Sequence, residues 1–248
     1  MKIILSLVSL TLVLSPAIRA QDGECRDSNA ALTQAAQAFA AADAQLNLAW
    51  KAVKPALNAT QFKQVLDRQR AWIQYRDVMA ATSARGRPSE PADAKGCADF
   101  DLARADLSKS RTAYLKGLVK PLTDWNGSYA DGFGGQLLLE ESAQGLRFTL
   151  NVVRSEAYHT GGLSGIADLN AGSARFETRV PDFESAEENA TAAAALTLRR
   201  DRVWIVVEGE NTSYFHGARA YFDGEYVRVA PLSTADREEI ARAIQNGN

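Results

Sequence analysis

The sequence contains few of the residues that enzymes use for nucleophilic or metal-assisted chemistry. Its 248 residues include two cysteines, Cys25 and Cys97, and two histidines, His159 and His216. Neither histidine lies in a nucleophile or metal-binding motif, and two cysteines with distant histidines do not supply the four ligands of a structural zinc site. The sequence therefore predicts a protein that is not an enzyme, with no catalytic residue, no metal site and no cofactor.

Long hydrophobic runs and basic clusters are also missing. The longest apolar run covers the twelve residues 3–14, whereas a helix that crosses a bilayer needs about 20 apolar residues. The formal net charge is −2, and the chain has no block of basic residues. Nucleic acid needs a positive surface. We therefore expect no nucleic-acid partner and no membrane insertion of the mature chain.

The N-terminus has the order of charges and apolar residues that is typical of a secretory signal peptide. Lys2 precedes the apolar run, and small residues end the segment at Ala20, which predicts cleavage after that residue. Cleavage removes two basic residues, Lys2 and Arg19, and no acidic one, so the net charge changes from −2 to −4. No cysteine follows the cleavage site directly. We expect an unanchored protein, either periplasmic or secreted.

Composition divides the mature chain into two domains, residues 21–121 and 122–248, and the predicted fold class is α+β. The first domain has apolar residues at a spacing of 3.6, which predicts an antiparallel three-helix bundle. Pro55 and Pro121 are expected to end the first and third helices, and Asn58 with Gln61 forms a capping-box pattern. The predicted helices cover about residues 28–54, 58–86 and 98–120.

The second domain contains most of the 17 glycines and a series of short apolar runs. They predict a small antiparallel β-barrel or sandwich, followed by a short helix capped at Ser233. Aromatic-glycine elements at 125–129 and 222–226 are expected to pack together where the first and last strands meet. The nine predicted strands are 125–130, 136–140, 146–153, 163–169, 173–179, 192–199, 203–208, 218–222 and 226–229.

The segment 69–77, with the sequence QRAWIQYRD, combines polar and apolar residues on one helical face. Helical spacing places Gln69, Trp72, Ile73 and Arg76 on that face. A buried glutamine or arginine needs partners or has a functional role, because buried polar groups are hydrogen-bonded.

The heights of polar residues along the three helices suggest these partners. We predict a buried network of Asp43, Gln69 and Arg111, and a second pair between Arg76 and Asp106. These residues, with Trp72, are interpreted as a structural network that sets the helix register.

The two cysteines precede the first and third helices, which are parallel in a three-helix bundle. They therefore fall at the same end, and we predict a disulfide between Cys25 and Cys97 in an oxidising compartment. Closing this loop stabilises the fold by about 4 kcal/mol in the chain-entropy model. Two free thiols are the alternative.

QRAWIQYRD, with Asp43-x-x-Leu46-Asn47 before it and Cys97 and SRTAYL (residues 110–115) after it, resembles the LprI-like N-terminal domain of lysozyme inhibitors. The resemblance covers residues 25–118 and implies a small exported helical module. Members usually carry a cysteine soon after the arginine-aspartate pair, where this sequence has residues 78–81, VMAA. The second half is similar, less specifically, to β domains attached to such modules.

The resemblance implies an envelope binding protein with a protein partner, lysozyme. A non-catalytic ligand-binding or scaffolding module is the alternative. The predicted binding loop lies at residues 158–165, where glycines alternate with polar side chains. Its candidate binding residues are Tyr158, His159, Thr160 and Ser164, and an ordinary hairpin with polar decoration is the other interpretation.

Overall fold

The structure, a computed structural model, describes residues 27–84, 94, 96–154, 159–181, 185 and 190–247. The predicted signal peptide lies outside these residues. The regular elements, in chain order, are α1 (Asn29–Ala56), α2 (Ala59–Ser83), α3 (Ala98–Leu118), β1 (Gly127–Ala130), β2 (Gln136–Ser142), β3 (Gly145–Arg154), β4 (His159–Asn170), β5 (Ser173–Pro181), β6 (Thr191–Arg200), β7 (Trp204–Glu210), β8 (Gly224–Ala230) and α4 (Thr234–Asn246).

The ends of the helices follow local capping chemistry. Asn58 accepts a hydrogen bond from the N–H of Gln61, and the side chain of Gln61 bonds back to the N–H of Asn58, so the predicted capping box is confirmed. Ser233 caps α4 in the same way through Asp236. Pro55 does not end α1, which runs one residue further, to Ala56.

The eight strands form an antiparallel meander that closes into a barrel, because β8 pairs with β1. The predicted order of helices, antiparallel strands and a short C-terminal helix is confirmed, but the predicted strand at 218–222 is wrong. Those residues belong to the β7–β8 connection, where Ala220 N–H bonds Gly217 O and Arg219 has a φ of 65°. This backbone turns instead of extending.

The two aromatic-glycine elements meet at the barrel seam, as predicted. Tyr129 and Tyr226 are fully buried with Trp125 and Phe222 in the core inside the barrel. Tyr129 donates its hydroxyl hydrogen bond to the Trp125 carbonyl at 2.8 Å, and Tyr226 donates to the Phe222 carbonyl at 3.2 Å. Each tyrosine thus fills the barrel while its hydroxyl is satisfied four residues earlier in the chain.

The helices pack directly on the outside of the barrel. A second core combines Leu46, Trp72 and Leu115 of the helices with Trp204 and Val227 of the barrel wall. The predicted domain boundary near residue 121 therefore lies between two parts that share one core. No helix in the described residues is long and apolar enough to cross a membrane.

Candidate binding site

Two residues of the predicted network meet in the interior of the helical half. The Nε of Arg111 on α3 donates to Oε1 of Gln69 on α2 at 2.9 Å, and both side chains are buried. Asp43, the third predicted member, instead bonds Arg76 and Asn47. Helical spacing therefore found the inward position of Gln69 and Arg111, but Asp43 is partly exposed and pairs differently from the prediction.

Arg76 is buried and bonds two carboxylates, Asp77 at 2.8 Å and Asp43 at 3.4 Å. The predicted Arg76–Asp106 pair is wrong, since Asp106 is exposed and bonds Lys109 at 2.7 Å. The contact between α2 and α3 at this level is made by Asp77 with Arg104 at 3.2 Å. The sequence analysis did not identify Arg104 as a partner of α2. Its spacing of three residues from Asp101 indicates only an ion pair within α3.

We expect Arg76→Met to lower the free energy of unfolding by about 1–3 kcal/mol. The loss is smaller than the 3–5 kcal/mol of a fully buried pair, because Asp43 and Asp77 are partly exposed and water solvates them. Urea denaturation measures the change. Arg70→Met is the matched control from the same segment, because Arg70 is exposed and its contact with Asp67 is 3.6 Å long. Equal losses in both variants would contradict a structural role for Arg76.

Cys97 directly precedes α3 and is disulfide-bonded. Its predicted partner, Cys25, lies outside the described residues. Nearby, the carboxylate of Asp27 accepts a hydrogen bond at 2.9 Å from the N–H of Ala98. The chain just before α1 therefore lies beside the start of α3, the arrangement on which the predicted Cys25–Cys97 pairing depends.

The predicted binding loop is not a protruding loop where the structure describes it. His159, Thr160 and Ser164 lie in β4 and pair with β3, and Ser164 is buried. Tyr158 lies outside the described residues. From His159 onward, these residues form part of a hairpin with β3, which was the alternative interpretation. Gly161 in this strand allows close packing, because a Cβ at this position would lie 2.4 Å from the Cβ of His216.

A cleft of about 530 Å³ separates α2 from the rim of the barrel. The side of α2 that faces it belongs to the QRAWIQYRD region and contributes Tyr75. The opposite wall comes from the β1–β2 turn, the end of β3 and the end of the β7–β8 connection, and it includes Phe133, Arg154 and Tyr221. Its volume is typical of small-molecule and peptide sites. The cleft therefore connects the most distinctive segment of the sequence with the barrel.

Charged groups hold the cleft walls in place. The Asp131 carboxylate accepts hydrogen bonds from the N–H groups of Phe133 and Gly135, each at 2.8 Å, and pairs with Arg154 at 2.5 Å. The Tyr75 hydroxyl donates to the Phe133 carbonyl at 3.0 Å. Burial, and secondly the charge of Asp131, raises the pKa of Tyr75, so this hydroxyl remains protonated and can donate.

The sequence places residues 131–135 between two predicted strands but contains no signal for this arrangement. Asp131 and Arg154 are 23 positions apart, and only the pairing of β1, β2 and β3 brings them together.

The β7–β8 connection, residues 211–223, presents two exposed tyrosines, of which Tyr221 lines the cleft. Tyr214 is 51% exposed and Tyr221 is 52% exposed. The connection is anchored to β4, because Gly217 N–H bonds the Thr160 carbonyl at 2.9 Å. Exposed aromatic side chains on an anchored loop are typical of protein-binding surfaces, where tyrosine and arginine contribute much of the affinity.

The anchored aromatic loop and the adjoining cleft define this molecule as a helical module on a β-barrel with a surface suited to binding. Residues 25–115 match the family described as "Lysozyme inhibitor LprI". A similar protein of Rhizobium meliloti (strain 1021), named "Uncharacterized protein R02472", is 35% identical over 100 residues, an alignment that covers 34% of this chain and 68% of that protein. The chain belongs to the lysozyme inhibitor LprI family. No solved structure matches it.

Proposed function

We propose that the protein is an exported, non-catalytic binding protein that inhibits a lysozyme. The family membership of residues 25–115 supports the partner class, and the signal-like N-terminus supports action in the periplasm or outside the cell. The observation that carries the binding surface is the β7–β8 connection, with Tyr214 and Tyr221 exposed and Tyr221 lining the cleft.

The chemistry of this surface suits a protein partner. Tyrosines bury a large area at a low cost in side-chain entropy. Arg219, on the same connection, is exposed and can pair with carboxylates of a partner. The acidic net charge also favours encounter with a basic protein.

Lysis of cells by lysozyme tests this proposal. We expect the purified mature protein to slow lysis and to co-elute with the inhibited lysozyme. The double variant Tyr214→Ala with Tyr221→Ala should weaken inhibition by about 10-fold or more, because truncating central aromatic residues commonly costs over 1 kcal/mol each.

Leu48→Ala is the control, because Leu48 is a similarly exposed apolar residue, at 59%, but lies on α1. It should inhibit as well as the wild type. Unchanged lysis by several lysozyme types at a large excess of the protein contradicts the proposed function. Equal weakening by the control variant contradicts the placement of the surface on the β7–β8 connection.

A ligand-binding module of the cell envelope is the second candidate, and the open cleft favours it. The barrel interior does not, because aromatic and aliphatic side chains fill it. Saturable binding of an envelope component by a protein that leaves lysozyme active would support this second function.

A further inference from the structure

Arg111 is a buried cation, and within the part of the chain that the structure describes its two terminal nitrogens are unsatisfied. The residue is 1% exposed, and its Nε bonds the neutral oxygen of Gln69. Nη1 and Nη2 have no hydrogen-bond partner among the described residues. Burying an uncompensated charge costs several kcal/mol. Such a group therefore needs an explanation in terms of what it binds.

Asp131, whose charge acts on Arg111, and Glu225, whose charge acts on the neighbouring Tyr114, are each paired with another arginine. Asp131 pairs with Arg154 and accepts two backbone N–H groups, and Glu225 pairs with Arg68 at 2.5 Å. Burial, the largest influence, lowers the pKa of Arg111 to about 10. Arg111 still carries its charge at neutral pH, and no carboxylate in the described part of the chain bonds its terminal nitrogens.

Aromatic rings surround the guanidinium group of Arg111. Its Cζ lies 4.3 Å from the centroid of the Tyr114 ring, 5.5 Å from that of Trp72 and 5.9 Å from that of Phe133. Cation–π contacts offset part of the desolvation cost. They do not replace the in-plane N–H bonds of Nη1 and Nη2, and a guanidinium fork matches a carboxylate in geometry.

Arg111 also forms part of the wall of a pocket of about 510 Å³ between α3 and the β1–β2 turn. The lining is mainly apolar or small and includes Leu107, Ala113 and Gly132. Gly132 lies against the guanidinium, since a Cβ there would come within 2.3 Å of Nη1. The glycine thus presents no side chain to the charged group, and the pocket volume suits a small organic molecule.

We propose that this pocket binds a small carboxylate with an apolar or aromatic body, and that Arg111 is the anchor of the carboxylate. The apolar lining receives the body of the ligand, and the carboxylate accepts hydrogen bonds from Nη1 and Nη2. Three glycines of the β1–β2 turn, Gly132, Gly134 and Gly135, line the pocket, so none of them places a side chain between the ligand and the guanidinium group. This site does not include Tyr214 or Tyr221 of the proposed lysozyme-binding surface, and the inference does not depend on that function.

Calorimetric titration with benzoate tests the site. We expect saturable binding to the full mature chain, no binding of the uncharged analogue benzyl alcohol, and little competition by inorganic phosphate, which lacks the apolar body. Arg111→Met should reduce affinity for benzoate at least 10-fold, because a hydrogen-bonded charge contributes about 1.5–3 kcal/mol. Arg70→Met, which removes an exposed arginine, should leave affinity unchanged.

A second variant separates ligand binding from folding. Ala113→Phe fills the pocket from α3 but retains Arg111, and it should also abolish benzoate binding while circular dichroism shows a folded protein. Absence of saturable binding to the wild type overturns the proposal. So does wild-type affinity for benzoate in a folded Arg111→Met or Ala113→Phe protein, or equal binding of benzoate and benzyl alcohol.

Discussion

Gly117→Ala should destabilise the protein by about 3 kcal/mol, although glycine-to-alanine changes inside helices usually stabilise by about 1 kcal/mol. The new Cβ would lie 2.2 Å from the backbone oxygen of Arg228 and 2.6 Å from a methyl group of Val227. The Arg228 oxygen belongs to β8 and cannot turn away as a side chain can. Either α3 separates from the barrel or the strand distorts, and urea denaturation measures the loss.

Gly217→Ala is the control for this prediction. Gly217 has an ordinary neighbour, the Thr160 oxygen at 3.7 Å from its built Cβ, and lies in the exposed β7–β8 connection. Its substitution should change stability by less than about 0.5 kcal/mol. A neutral or stabilising effect of Gly117→Ala would show that α3 does not pack this closely on β8.

Trp72→Ala should lower the free energy of unfolding by about 3–5 kcal/mol, whereas Ile73→Ala should cost less than about 0.5 kcal/mol. Trp72 is 2% exposed and packs in the core shared by the helices and the barrel. Ile73 is 44% exposed, contrary to its predicted place on the inward face. The two variants change adjacent residues of one helix, so helix propensity alone cannot explain a large difference.

Thermal and chemical denaturation of both variants, with circular dichroism as the signal, provides the measurement. Comparable losses for Trp72→Ala and Ile73→Ala would mean that α2 is rotated from the orientation described above. That rotation would also remove the hydrogen bond between Gln69 and Arg111.

Local sequence signals predicted most elements well. The starts of α2 and α4 follow from Asn58 and Ser233, whose side chains bond neighbouring N–H groups whatever the rest of the fold does. Eight of the nine predicted strands overlap strands of the barrel. The strand prediction for residues 218–222 was wrong, because these residues lie in a connection whose backbone turns at Arg219.

The pairing of polar side chains was less predictable, because it depends on how far each helix slides and rotates against its neighbour. Gln69, Arg76 and Arg111 were correctly placed inside, but Asp43 pairs with Arg76, not with Gln69 and Arg111. A difference of seven residues along α2 equals about two turns. Counting residues from the turn between α1 and α2 does not show whether Gln69 or Arg76 pairs with Asp43, because the long arginine side chain covers part of the distance between these two levels.

The candidate binding surface could not be found from local patterns. Residues 158–165 contain the glycines and polar side chains expected of a loop, but from His159 onward they pair as β4. The exposed tyrosines are instead Tyr214 and Tyr221. Both lie in the β7–β8 connection, which is anchored to β4 by a hydrogen bond to the Thr160 carbonyl. Whether a segment forms a strand or an exposed connection depends on strand partners that are distant in the sequence.

The sequence alone determined the family, the succession of helices and strands, and the inward position of Gln69, Trp72, Arg76 and Arg111, because each depends on periodicity and capping within a few residues. The tertiary structure decided which charges pair, which loop is exposed, and that Arg111 lies beside a pocket without a carboxylate partner among the described residues. These features depend on contacts between segments that are distant in sequence. The approach of Gly117 to β8 brings α3 onto the barrel wall, and the pairing of β1 with β8 closes the barrel.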